Sequence, residues 1–242
     1  MSEVRPLRAA IAGLTAFAAS QEQVLLAAAE ADEAGSPSCW AALPLIAHNT
    51  EFRRQQVQRL RAIRRGQPPP EYAEVDHGSA QLYAELSAQP ADAVARDSWR
   101  VSGELLEELA VVSPEDLVEP AWHSWLRGRQ LWLQLVVRGF WHPAGHLGDY
   151  YATHGQAGRG VALAEQAVMT AAVLGVPDPA RGMASYNLAC AKARAGLLGE
   201  AVAAVAEAVS LNPDVRANAA RDPDLAAVRD TGQLDSLLEV RR

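Results

Sequence analysis

LRGRQLWLQLVVRGFWHPAGHLGDYYATHG, residues 126–155, decides how the chain is read. Its apolar and aromatic residues recur at helical spacing rather than alternating, which predicts a helix. The helix carries His142 and His146, and side chains four residues apart share a helical face, so both imidazoles can reach one ion. Pro143 stands between them, lacks an N–H, and crowds residue 139 with its ring. The helix therefore bends at Gly139–Phe140 or restarts at His142, and either outcome keeps residues 142–146 in one turn. An HxxxH pair by itself is also what core or surface histidines produce.

Three other helical regions precede this one. LRAAIAGLTAFAASQEQVLLAAAEADEA, from Leu7, reads as one long helix or two short ones, and GSPS ends it. The second begins near Ser38 and runs through CWAALPLIAHNTEFRRQQVQRLRAIRR, where Pro44 is tolerable in a first turn. GQPPPEYAEVDHG, residues 66–78, is a break, because Pro68, Pro69 and Pro70 cannot continue a helix. A third region, divided at Pro90, offers Val94, Trp99, Val101, Leu105, Leu106 and Leu109 for a buried face. SPEDL then starts a helix at Ser113 or Pro114. Four helical segments with one long connection predict an all-α bundle, whose centre is a usual place for metals and ligands.

The bulk composition limits the function classes. A chain of 242 residues makes one large domain, or one of about 150 residues plus a smaller one. With 49% hydrophobic and 21% charged residues it has the make-up of a soluble globular protein. A net charge of -7 argues against nucleic acid and anionic membranes as partners. EFRRQQVQRLRAIRR is the local exception, with Arg53, Arg54 and Arg59 among its arginines. Phe52, Leu60 and Ile63 interrupt it at helical distances, so it reads as a solvated helix face, the alternative being an anionic ligand. Cys39 and Cys190 form no CxxC pair and fit a reduced, cytoplasmic setting. LRAAIAGLTAFAA is too short to span a bilayer, and the start lacks a clear cleavage pattern.

A third metal ligand changes the weight of the histidine pair. His48, in LIAHNTEF, lies between Leu45 and Phe52 on a partly inward face of the second helix. Such a histidine is either a hydrogen-bonded core residue or a ligand. A bundle brings the second and fourth helices within reach, giving a three-imidazole site with an open position. Imidazole nitrogens suit Zn²⁺, Ni²⁺ or Fe²⁺. Glu51 and Asp149, each three residues beyond a histidine, are placed to orient an imidazole or to lie on a solvated face. His77, after the proline-rich break, is a rim residue; His123 has no spaced partner, and His154 precedes a glycine that ends a helix.

These residues carry a resemblance. From about residue 7 to 155 the chain resembles the DinB/YfiT-like superfamily of metal-binding four-helix bundles. His48, His142 and His146 match its three-histidine pattern, and WHPAGHLGDYY is similar to its HPxxHLxxYY variant. The resemblance implies a metal-dependent transferase using a low-molecular-weight thiol, or a hydrolase, acting on a small molecule. A thiol cofactor would give Arg53, Arg54 and Arg59 a purpose as anion-binding groups near a pocket mouth. No GxSxG, HExxH or phosphate-binding glycine loop is present.

Beyond Gly155 the texture changes to helix, turn, helix, helix. Leu188, Ala189, Gly196, Ala201, Val205, Ala208 and Pro213 resemble one tetratricopeptide repeat, with Lys192 where an aromatic is usual. Tyr150, Gly155, Gly160, Ala164 and Ala167 echo it at an offset of 41 residues, longer than the repeat's usual period. The expected division is a bundle over 1–155 and a repeat-like extension over 156–242, packed on the bundle. A second functional reading follows: a non-catalytic interaction module with a structural metal, binding a protein partner through the carboxy-terminal hairpin. A homodimer is the remaining expectation for the Ala- and Leu-rich surface.

Overall fold

Helical periodicity becomes helix throughout. The computed structural model describes residues 4–28, 35–72, 79–118, 126 and 128–238, and within them the chain forms thirteen α-helices and no strand. His77 and His123 lie outside the described residues. By its internal contacts the chain divides into two compact units, Met1–Pro143 and Ala144–Arg242. The division falls inside a helix, not after residue 155 where the change of sequence texture stands.

In the first unit, α1 (Val4–Ala28) is a single long helix. The next, α2 (Ala42–Arg64), begins four residues later than Ser38 and takes Pro44 into its first turn, where a missing N–H costs no helical bond. Its arginine-rich stretch is a solvated face only in part, with Arg64 and Arg65 exposed. Phe52, Arg53, Gln55, Gln56 and Arg59 are all buried, because α2 packs against α1, α4 and the segment that leads to His142. Ser79 caps α3 (Ala80–Ser87), its hydroxyl accepting from the Leu82 amide. Pro90 is the residue before α4 (Ala91–Val111). Val94, Val101, Leu105 and Leu109 form its buried stripe, whereas Trp99, expected inside, is 72% exposed. Residue 99 lies well off the stripe on a 3.6-residue turn, so size and apolarity could not draw it in. Ser113 Oγ accepts from the Asp116 amide at 3.0 Å and caps α5 (Pro114–Val118).

The stretch around Pro143 neither breaks nor simply bends. A short α6 (Leu131–Val136) runs into a π-helical turn, Val137–Trp141, and then into α7 (His142–Thr153). The His142 amide donates to the Val137 carbonyl, five residues back, and this wider turn makes room for the proline ring behind it. Gly139 sits in the turn against α1. A Cβ there would stand 2.8 Å from Thr15 Oγ1, so the two helices approach as closely as glycine allows.

In the second unit, residues 144–153 of α7 join α8 (Ala157–Val173), α9 (Asp178–Arg194) and α10 (Leu198–Leu211). Gly155, Gly175 and Gly196 supply the left-handed backbone that the intervening turns need. Ala180, Ala184, Ala189, Ala201, Val205 and Ala208 are buried and let α9 and α10 pack tightly. Two similar turns follow. Asn212 and Asp222 each cap a 3-10 turn through a side-chain oxygen, at Asp214 and Asp224, and Val215 and Leu225 anchor those turns in the core. Three short helices, α11 (Arg216–Ala219), α12 (Ala226–Arg229) and α13 (Asp235–Leu238), complete the described chain.

Candidate metal centre

His48 reaches the site because α2 is buried on nearly every side. Its ring is held edge-on by Trp40, with centroids 5.3 Å apart, and by Phe52, at 4.7 Å. Trp40 is itself fixed by donating from Nε1 to the Pro37 carbonyl at 3.0 Å and by an edge contact with Tyr83. His142, the first residue of α7, also packs against Phe52, with ring centroids 4.6 Å apart, and its ring lies 5.4 Å from that of His48. The Nε2 atoms of His48 and His142 are 3.3 Å apart. His146 follows one turn along α7. Each of the three offers a ring nitrogen, and those nitrogens all lie within 4.8 Å of one another.

That spacing suits a common ion. Two nitrogens each about 2.0–2.1 Å from one tetrahedral metal stand about 3.3 Å apart. The His48–His142 separation already has this value, and the third nitrogen is near enough to close on the same point by a side-chain adjustment. Two neutral imidazoles facing each other can share only one proton between Nε2 atoms, whereas a cation satisfies both lone pairs.

Of the carboxylates three residues beyond a histidine, Asp149 is near its imidazole: Oδ2 is 3.7 Å from His146 Nδ1. Burial opposes its ionisation, but the interaction with His146 and the charge of Arg194 outweigh that, and the carboxyl lies below the usual carboxylate range. Glu51 is exposed and accepts from Arg54 Nε at 2.9 Å. The arginines expected to hold an anion divide as well. Arg53 has no exposed side-chain surface and is paired with Glu22. Arg54 is taken by Glu51 and Asp97. Arg59 donates from Nε to the Pro70 carbonyl at 3.2 Å and lies over the Tyr72 ring.

A second cluster has metal-like spacing without having been legible beforehand: Cys190, Asp222 and Asp224. Its atoms are already engaged. Asp222 accepts from the Tyr186 hydroxyl at 2.5 Å and from the Asp224 amide at 3.0 Å, and the Cys190 thiol points at it from 3.7 Å. Asp224 is held by Arg194 at 2.6 Å, and Arg194 also binds Asp149. Burial, reinforced by Asp222, pushes the Cys190 thiol well up, and burial likewise raises Tyr186. A protonated thiol and phenol donating to a carboxylate form a satisfied polar network. Cys190 is thus a poor nucleophile. Cys190 lies more than thirty positions before the two aspartates, with no motif spacing to announce the cluster.

Among the described residues, no helix is long and apolar enough to cross a membrane. Compared with models of known families, with curated proteins and with solved structures, the chain finds no match.

Proposed function

We propose that the chain is a metal-dependent enzyme of the DinB-like kind, acting on a small molecule as a thiol-dependent transferase or a hydrolase. The observation that carries this reading is the convergence of His48, His142 and His146. A divalent ion, whether Zn²⁺, Ni²⁺ or Fe²⁺, with an open coordination position lowers the pKa of a bound water or thiol and supplies a nucleophile at neutral pH. The chain's own residues do the rest. The three imidazoles bind, Asp149 steadies His146 through Nδ1, and Trp40 and Phe52 wall off water beside His48. The buried Cys190, its thiol held protonated, is not a competing nucleophile. The helical hairpin of α9 and α10 resembles a tetratricopeptide unit that completes the second unit's core.

Elemental analysis of protein purified without an affinity tag tests this first: one equivalent of a divalent metal is expected. Replacing any one of the three histidines with Ala should weaken binding by more than the roughly 10–100-fold that a group outside the ligand set commands. His154→Ala should leave it intact. Addition of small thiols to cobalt-substituted protein should alter the visible spectrum if the transferase version holds, and leave it unaltered if hydrolysis is the activity. Wild-type affinity in His48→Ala would remove the proposed ligand set.

Exposed Met169 and Val173, one turn apart on α8, favour a second reading, an interaction module whose metal is structural. A stoichiometric protein complex abolished by Val173→Asp, together with metal that no thiol or substrate perturbs, would support it.

A further inference from the structure

The three imidazoles leave one feature of the first unit without a role. Arg138 lies in the π-helical turn, its Cζ 4.4 Å from the centre of the Phe52 ring. The His142 ring is 4.6 Å from that same centre. Guanidinium and imidazole therefore flank one phenyl group and cannot be farther apart than the sum of those distances.

No carboxylate answers Arg138. Its Nε is buried without a hydrogen-bond partner, and among the described residues it makes no ion pair. The contrast with its neighbours is sharp: Arg53, Arg54, Arg61 and Arg64 all meet acidic groups. A like charge stands near it: Arg59, itself buried, feels Arg138, and burial pushes the Arg59 guanidinium below its ordinary value, Arg138 adding to this while Tyr72 and Glu71 oppose it. Gln56 is 1% exposed, and neither its amide nitrogen nor its amide oxygen has a partner. Residues 52, 56 and 59 share one face of α2, so Phe52, Gln56 and Arg59 all turn the same way.

A half-buried guanidinium whose Nε has no partner, a second guanidinium near it and an unsatisfied buried amide form an arrangement that costs stability by itself. A single oxyanion answers the orphaned donors together. It would accept from the Arg138 fork and from Gln56 Nε2, and would cancel the repulsion between the arginines. We propose that Arg138, Gln56 and Arg59 form an anion subsite beside the three-histidine centre, holding the carboxylate or phosphate of a small-molecule ligand. The shared Phe52 wall keeps both centres within the span of one such molecule. This names the substrate class of the site proposed above and rests on that reading for its link to chemistry, although the subsite binds by its own groups.

Succinate and inorganic phosphate are the probes, titrated calorimetrically at low chloride into the full-length protein before and after chelation, with metal content measured in parallel. One equivalent of one probe should bind in both forms, and which of them binds identifies the oxyanion. Arg138→Met should weaken that binding by about tenfold or more while metal content stays at the wild-type level. The same variant should melt at or above the wild-type temperature without anion, because it removes a half-buried charge that meets no carboxylate; a merely structural arginine would lower it. The bound probe should raise the wild-type melting temperature and not the variant's. Failure of both probes to bind, or equal binding by Arg138→Met, overturns the subsite. Anion binding through Arg138 in protein that takes up no metal would overturn the metal reading and leave the subsite standing.

Discussion

Glu22 and Arg53 have no exposed side-chain surface, and Asn49 completes their pair by donating from Nδ2 to Glu22 Oε1 at 2.9 Å. Arg53 grips the carboxylate with both terminal nitrogens, the fork geometry in which a buried pair best offsets the loss of water. Removing one partner strands the other. Glu22→Leu is expected to cost about 3–5 kcal/mol in urea unfolding, and adding Arg53→Met to it should recover most of that loss. A double variant as unstable as the single one would mean that packing, not the stranded charge, sets the cost. Arg53 also shows what one residue's sequence context conceals. Its partner lies thirty-one positions earlier in another helix, so a run of arginines reads as a solvated face until α1 is in place. Arg138 is silent in the sequence for the opposite reason: its interest is that it makes no ion pair among the described residues, which no spacing displays. The histidines were legible because two sit a turn apart and the third lies between apolar neighbours at helical distances.

Elements were easier to read than the joints between them. Apolar residues at helical spacing marked α1, α2, α4, α8, α9 and α10, and proline or serine marked where several begin. The π-helical turn was not legible, since Pro143 is compatible with a bend, a restart or a widened turn, and the packing of Gly139 on Thr15 selects among them. Close approach also governs α9 and α10. A Cβ on Gly182 would stand 2.9 Å from the Ala208 carbonyl oxygen and 2.6 Å from Asn212 Cβ. Backbone cannot rotate aside, so Gly182→Ala forces the helices apart. The overpacking cost of about 1–3 kcal/mol should exceed the helix-propensity gain of about 1 kcal/mol. Gly103, exposed within α4, would meet nothing within 4 Å. Gly103→Ala should therefore stabilise by about 0.5–1 kcal/mol. Thermal unfolding of the two variants side by side makes the comparison, and a Gly182→Ala protein as stable as Gly103→Ala would show that α9 and α10 are free to adjust.

At the scale of the whole chain, the sequence changes texture at Gly155 while the contacts divide after Pro143. The difference has a physical source in α7. Its residues 144–153 meet partners that come later in the chain: Asp149 is bound by Arg194 of α9, and Gly148 lies against Gly160 of α8, where an added Cβ would stand 3.4 Å from the Gly148 carbonyl oxygen. Arg194 is fixed in turn by Asp224, so this packing reaches the end of the second unit. Sequence texture records the change from large aromatic residues to alanine; it does not record which neighbours a helix uses. A helix as short as α7 is marginal in water without tertiary partners. A chain ending at residue 155 should therefore keep slow amide exchange in α2 and α4 but lose it across residues 144–153, including the turn that carries His146. Hydrogen exchange followed by mass spectrometry on the full chain and the shortened one reads this directly. Equal protection of 144–153 in both would place the working boundary at Gly155, as the sequence texture suggests. Loss confined to that segment would make the later helices part of what holds His146 in its helical turn.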